Sequence, residues 1–76
     1  MPPIPQPAPL KELLTKKEMI VAKLVTEGRS NASIAVKLGV KPRTIAHHLV
    51  SIFKRLSINN RVQLATRYLL ECGLDG

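Results

Sequence analysis

The sequence predicts an all-α fold, a four-helix bundle. In four segments apolar residues recur with the spacing of one helix face. Short turns with glycine or helix-capping residues separate these segments, and none shows the two-residue alternation of a half-buried strand. With 76 residues, 45% of them hydrophobic, the chain has room for one small domain with an aliphatic core, since Phe53 and Tyr68 are its only aromatic residues.

The first predicted helix spans residues 16–27. Thr15 and Glu18 have the spacing of a capping box, in which each side chain accepts a hydrogen bond from the backbone N–H of the other residue. Apolar residues then recur at helical spacing. Gly28 supplies a residue that tolerates the left-handed conformation common at helix ends. These signals mark both ends of the helix.

Two further helices follow after short turns. Ser30 is the expected N-cap of the second, Asn31–Leu38, and Gly39 ends it. Pro42 suits the first position of the third helix, Pro42–Leu56, where a missing N–H breaks no hydrogen bond. The third helix has four apolar residues at i, i+4, i+7 and i+11, which predict one buried stripe: Ile45, Leu49, Ile52 and Leu56.

The fourth predicted helix, Arg61–Cys72, begins after Asn60 in a second capping-box pattern and ends at Gly73. It carries more apolar surface than one face needs. Two stripes share this surface, formed by Leu64 with Tyr68 and by Val62, Ala65, Leu69 and Cys72. One stripe should pack on the first helix and the other could pair with a second copy. The pattern leaves the assignment open, and the second stripe is taken as the candidate dimer contact.

Residues 1–13 are predicted to be a proline-rich, disordered head or linker, and residues 14–76 the folded domain. Five of the six prolines lie within the first nine residues. A stretch of this composition favours extended backbone and cannot pack a core. Either a tether to further sequence or a free tail would have this composition, so both remain open.

The net charge is +7, and the basic residues are unevenly distributed. Residues 28–70 contain eight basic residues and no Asp or Glu. The eight are Arg29, Lys37, Lys41, Arg43, Lys54, Arg55, Arg61 and Arg67. A long basic segment without acidic residues predicts a polyanionic partner. Solvation alone is the alternative, although a merely solvated surface normally mixes both signs of charge.

The composition argues against several classes of function. A single cysteine, Cys72, allows no internal disulfide, which fits a reducing cytoplasm. The sequence has no spacing typical of metal ligands, so we expect no metal and no cofactor. No apolar run approaches the roughly 20 residues that cross a bilayer. The chain is also not expected to be an enzyme, because it has no nucleophile–base pair, carboxylate pair or phosphate loop.

The junction of the second and third predicted helices has the residue types of a helix-turn-helix. Ala35 is small, so the third helix can cross the second closely. Gly39 tolerates a positive φ at the turn, and Ile45 locks the two helices together. The pattern therefore predicts a helix-turn-helix within the four-helix bundle, with an ordinary helical hairpin as the alternative.

Several short motifs occur in a fixed order along residues 14–72. They include Leu14-Thr15-Lys16-Lys17-Glu18, Glu27-Gly28-Arg29-Ser30-Asn31, Ile34-Ala35, Leu38-Gly39-Val40, Thr44-Ile45, His48-Leu49 and Asn60-Arg61. In this order they resemble the LuxR/NarL-type helix-turn-helix family of bacterial transcription regulators. The resemblance implies that the third helix enters the major groove of DNA and that the fourth often forms a dimer contact.

The face of Pro42–Leu56 opposite the buried stripe carries most candidate DNA contacts. Arg43 lies near the helix start and can pair bidentately with guanine, with phosphate contact alone as the alternative. For His47 the alternative is a solvated surface position, and Arg61 is expected to contact the DNA backbone. The full set of candidate DNA-binding residues is Lys41, Arg43, Thr44, His47, Val50, Lys54 and Arg61.

Fold, charge and resemblance together predict a sequence-specific DNA-binding transcription regulator. It is expected to bind the major groove with Pro42–Leu56, as a homodimer on an inverted repeat, in the cytoplasm with the nucleoid. Double-stranded DNA is the expected partner, RNA polymerase is a further candidate, and no membrane is involved. The alternative is a protein-interaction adaptor with weakened DNA binding, because Ala46 and Val50 stand where the family often has DNA-contacting residues.

Overall fold

The computed structural model describes residues 8–73, which form five helices joined by short turns. In chain order these are α1 (Leu10–Leu13), α2 (Lys16–Thr26), α3 (Asn31–Leu38), α4 (Pro42–Leu56) and α5 (Arg61–Cys72). No strand occurs between residues 8 and 73, and the all-α prediction is confirmed. The four predicted helices are α2 to α5. Their bounds agree with the prediction, except that α2 ends at Thr26 and not at residue 27.

The predicted count of four helices is corrected by a single helical turn, α1, that precedes them. Leu10 is only 1% exposed, and its N–H donates to Glu71 Oε1 at 2.8 Å. A helix of four residues is too short to show periodicity, and Pro9 precedes it, so no local signal marks it. Its position depends on a contact with α5, 61 residues away. Residues 1–7 of the predicted head lie outside the described residues.

The predicted caps of α2 and α3 are present. Thr15 Oγ1 accepts from the Glu18 N–H at 3.1 Å, and Glu18 Oε1 accepts from the Thr15 N–H at 2.9 Å. Ser30 Oγ accepts from the Ser33 N–H at 3.1 Å. These bonds satisfy backbone N–H groups that the first turn of a helix leaves unpaired. Both helix starts are therefore set by residues three positions apart.

The turn between α3 and α4 has the geometry that the helix-turn-helix pattern predicts. Ala35 and Ile45 are buried where the two helices meet. Gly39 has φ 70° and ψ 33°, and the Val40 N–H donates to the Ala35 carbonyl at 3.0 Å. Side chains disfavour this left-handed conformation, so glycine allows α3 to end there. Pro42 then occupies the first position of α4.

The turn between α4 and α5 differs in one detail from the predicted capping box. Asn60 Oδ1 accepts from the Gln63 N–H at 3.0 Å, as predicted. The Gln63 side chain, however, accepts from the Asn59 N–H at 2.6 Å instead of the Asn60 N–H. Ser57, with φ 56°, is the left-handed residue that ends α4 in place of a glycine. The turn therefore has the two predicted cap bonds, with the second donor shifted from Asn60 to Asn59.

The core lies around α2, which packs against α5, α4 and α1, while α3 packs mainly on α4. Leu64 and Tyr68 are the buried residues of α5, so the first of its two predicted stripes faces the core. The whole core consists of Leu10, Leu14, Val21, Ala22, Leu24, Val25, Ile34, Ala35, Ile45, Leu49, Ile52, Leu56, Leu64 and Tyr68. Because the apolar stripe of α4 is buried, its opposite face is left in solvent.

Candidate nucleic-acid interface

The solvent face of α4 carries four of the predicted contact residues. All four are exposed: Arg43, His47, Val50 and Lys54. A helix of 3.6 residues per turn places residues at i, i+4, i+7 and i+11 within roughly 60° of one another. Val50 is 51% exposed, and Ala46 is half-buried beside this face. The predicted contact residues therefore form one continuous surface, which we call the outward face of α4.

The start of α4 adds two further predicted contacts. Lys41 is the N-cap residue, is exposed, and makes no side-chain cap bond. Thr44 lies in the first turn and is half-buried. This turn contains no acidic residue. The positive end of the helix dipole makes this end of α4 favourable for an anion such as a phosphate.

Four of the five arginines are bonded within the protein, and Arg43 is not. The internal partners are Glu27 and Ser33 for Arg29, Glu18 and the Leu13 carbonyl for Arg55, Asn31 and the Arg29 carbonyl for Arg61, and Glu71 and the Ala8 carbonyl for Arg67. Between residues 8 and 73, Arg43 has no intramolecular side-chain hydrogen bond or ion pair. Its guanidinium is therefore available to an external acceptor.

The ion pair between Glu18 and Arg55 joins α2 to α4. Glu18 is 6% exposed, and its carboxylate accepts from Arg55 and from the Thr15 N–H. Arg55 also donates to the Leu13 carbonyl at 3.0 Å. Burial raises the pKa of Glu18, but the bonds from Thr15 and Arg55 outweigh it, and the pKa lies below its ordinary value. Sequence analysis missed this pair because its members lie 37 residues apart.

Arg61 lies half-buried between α5 and the start of α3. Its guanidinium donates to Asn31 Oδ1 and, at 2.5 Å, to the Arg29 carbonyl. Arg61, which the sequence predicts to contact the DNA backbone, thus already bonds two acceptors within the protein. These two bonds compete with that predicted contact to the DNA backbone.

The outward side of α5 exposes part of the predicted dimer contact. Val62 is 73% exposed and Leu69 is 37% exposed. Ala65 and Cys72 are half-buried and contribute less surface. Leu70, 81% exposed, is an apolar neighbour that sequence analysis left out because it belongs to neither stripe. An apolar surface around Val62, Leu69 and Leu70 therefore faces solvent, and we call it the α5 patch.

Metal sites and membrane-spanning helices are absent from the part of the chain that the structure describes. Between residues 8 and 73, no three His, Cys, Asp or Glu side chains lie close enough together to hold a metal ion. Every helix in this range is too short or too polar to cross a membrane.

Residues 12–68 match the family described as bacterial regulatory proteins, luxR family. The chain belongs to this family. The match includes the whole of α2, α3 and α4 and most of α5, so it contains the complete helix-turn-helix. The LuxR-type resemblance inferred from the short motifs is confirmed. Members of the LuxR family are DNA-binding transcriptional regulators and not enzymes, as the sequence predicts.

Three relatives illustrate the match of this LuxR-family domain. An HTH-type transcriptional regulator of Mycobacterium bovis is 47% identical over 51 residues, 67% of this chain and 6% of the relative. The transcriptional regulatory protein YdfI of Bacillus subtilis is 42% identical over 53 residues, 70% of this chain and 25% of YdfI. The transcriptional regulatory protein UhpA of Escherichia coli is 37% identical over 54 residues, 71% of this chain and 28% of UhpA. The chain thus spans less than a third of the length of each.

Proposed function

We propose that this LuxR-family domain is a sequence-specific transcription regulator that binds the major groove of DNA with α4. The observation that carries the proposal is the availability of the Arg43 guanidinium to an external acceptor. Arg43 is the one arginine between residues 8 and 73 that no protein acceptor engages, and it lies on the first turn of the outward face. Arginine pairs bidentately with guanine in the major groove, which admits an α-helix. The protein would act in the cytoplasm, with the nucleoid.

Base and phosphate contacts are assigned by position on α4. The side chains proposed to approach base edges are those on the first three turns of the outward face, Arg43, His47 and Val50. The side chains proposed to contact phosphates lie at or near the two ends of the helix or beside its first turn, Lys41, Thr44 and Lys54. Phosphate contacts orient the protein and make its affinity salt-dependent, whereas base contacts carry sequence preference. Contact with RNA polymerase remains a prediction.

Pairing of two copies through α5 is the second part of the proposal. The α5 patch supplies exposed apolar area in Val62 and Leu69, with Leu70 beside them. A two-fold pair of domains would present two α4 helices to the half-sites of an inverted repeat. A few side chains fall well short of the ~800 Å² per partner of a standard interface. Pairing should therefore be weak in solution and become evident on DNA.

The experiment is a binding selection followed by a salt titration. The full chain first selects its site from random duplexes, and its affinity for that site and for a scrambled duplex is then measured across a salt series. The logarithm of the binding constant should fall linearly with the logarithm of the salt concentration, and each phosphate contact should add about 0.9 to the magnitude of this negative slope. Arg43→Ala should reduce the preference for the selected site. Lys23→Ala removes the same charge at an exposed position of α2, outside α4, and serves as the control. Absence of binding at low salt would favour the adaptor function.

A further inference from the structure

Arg61 links the start of α5 to the start of α3. Nη1 of its guanidinium donates to Asn31 Oδ1, and Nη2 donates to the Arg29 carbonyl at 2.5 Å. Asn31 is the first residue of α3, and Arg29 lies in the turn before it. Between residues 8 and 73, no other side-chain hydrogen bond joins α5 to α3. Two donors of one planar group therefore hold both the turn and the helix that follows it.

A surface cleft of about 160 Å³ lies beside the same junction, lined by Val25, Gly28, Arg29, Arg61, Val62 and Ala65. The side chain of Arg29 bonds Glu27 at 3.0 Å and Ser33 at 3.2 Å, so it stabilises the turn from the side of α2 and α3 only. Between residues 8 and 73, the guanidinium of Arg61 makes the only side-chain hydrogen bond between this turn and α5.

We propose that Arg61 is a positioning residue, which supports DNA binding by holding the first turn of α3 against α5 and does not itself bind phosphate. The proposal rests on the proposed DNA-binding function. α3 packs on α4, so the position of its first turn affects how α4 is presented to DNA. Arg61 is half-buried and its guanidinium already bonds two protein acceptors, which limits its access to a phosphate.

Substitution by lysine separates the two roles of Arg61. Arg61→Lys retains the positive charge but lacks the planar fork that bonds two acceptors at once. A phosphate contact should therefore survive Arg61→Lys largely unchanged, and a positioning role should not. Asn31→Ala removes one acceptor of Arg61 and changes no charge. The two variants should have similar effects if the bond between the residues is what supports binding.

The experiment measures the affinity of the full chain for its selected duplex and for a scrambled duplex over a salt series. Arg61→Lys and Asn31→Ala should each weaken binding to both duplexes about three- to tenfold, the range of one lost hydrogen bond. The slope against salt should stay unchanged, and the double variant should bind no more weakly than either single variant. Lys54→Gln is the charge control, for which the magnitude of the negative slope should fall by about 0.9.

Amide hydrogen exchange without DNA supplies a second readout. Exchange at the first turn of α3 should be faster in Arg61→Lys and Asn31→Ala than in the unsubstituted chain. If the chain binds no duplex at low salt, the DNA-binding function fails, and this readout still reports whether Arg61 holds α3. Unchanged exchange rates at the first turn of α3 in both variants would show that Arg61 does not position this turn.

Three binding results would overturn the positioning role. The first is full affinity in Arg61→Lys together with a salt slope whose magnitude is smaller by about 0.9 in Arg61→Gln. This combination would show a phosphate contact. The second is additive losses for Arg61→Lys and Asn31→Ala. The third is a loss fully explained by the unfolded fraction from urea titration, which would show that Arg61 supports stability alone.

Discussion

Replacing Arg55 by methionine tests whether the ion pair between α2 and α4 stabilises the domain. Methionine keeps an unbranched side chain with good helix propensity and removes the guanidinium. The carboxylate of Glu18 would retain only the Thr15 N–H, and the Leu13 carbonyl would lose a donor. We expect the free energy of unfolding at pH 7 to fall by about 2 kcal/mol.

The size of this loss follows from the exposure of the pair. Breaking a fully buried ion pair costs about 3–5 kcal/mol, whereas an exposed pair contributes roughly 0–1 kcal/mol. The side chain of Arg55 is 40% exposed and that of Glu18 is 7% exposed, so solvent screening reduces the value for a buried pair. With a urea m-value near 1 kcal/mol/M, typical of a small domain, the unfolding midpoint should fall by about 2 M.

The loss should also become smaller in acid. Burial raises the pKa of Glu18, but Thr15 and Arg55 lower it further than burial raises it. The ionised carboxylate therefore contributes stability above its ordinary unfolded pKa, and this contribution is lost as the pH falls through the lower folded pKa. In Arg55→Met the attraction to Arg55 is absent. The difference between the two proteins should be largest near neutral pH and smallest below the folded pKa of Glu18.

The assay is urea unfolding followed by far-ultraviolet circular dichroism, at several pH values and one ionic strength. Lys54→Met is the matched control, because Lys54 is exposed on the same turn and has no side-chain partner between residues 8 and 73. Its effect should stay within about 0.5 kcal/mol. Equal midpoints for Arg55→Met and the unsubstituted chain at pH 7 would refute the argument. So would a loss of equal size at every pH, since it could not arise from Glu18.

Three further outcomes are expected. Arg43→Ala should cost about 1–3 kcal/mol on the selected site and relax the preference at one base pair; identical selection profiles would mean that Arg43 touches phosphate alone. In urea titrations Gly39→Ala should lower the free energy of unfolding by about 1–2 kcal/mol, and Ser57→Gly should raise it by up to about 1 kcal/mol. Both residues have left-handed backbone, so effects of the same sign would contradict this explanation. Val62→Glu should place a charge in the α5 patch and prevent paired binding on an inverted repeat, while one domain still binds a half-site. Footprints that still show two bound copies would rule out pairing through Val62.

The four long helices could be predicted because their signals act over short distances in the chain. The caps at Thr15 and Ser30 bond residues three positions on, and Gly39 ends α3 through its own backbone conformation. The buried stripe of α4 repeats within three or four residues, so its outward face follows by elimination. The family could be inferred for the same reason, since its motifs are short runs of neighbouring residues.

The tertiary structure decided which stripe of α5 faces the core. The stripe of Leu64 with Tyr68 and the stripe containing Val62 both have helical spacing, and neither spacing states what lies opposite. Packing against α2 buries the first stripe and leaves Val62 exposed. The short helix α1 is a second example. Leu10 is buried beside α5, and Glu71, 61 residues along the chain, accepts its N–H.

By itself, the sequence determined four helices, a basic segment and a family, because each depends on residues close together in the chain. Only the tertiary structure decided which arginines are available to a partner. The five arginines have the same charge and the same donors. Arg29 and Arg67 bond side chains two and four residues away, as local patterns allow, but Arg55 and Arg61 have acceptors at separations that no local pattern contains. Arg55 reaches Glu18 over 37 residues, and Arg61 reaches Asn31 over 30. Arg43 remains exposed, and within residues 8–73 folding brings no acceptor to its guanidinium.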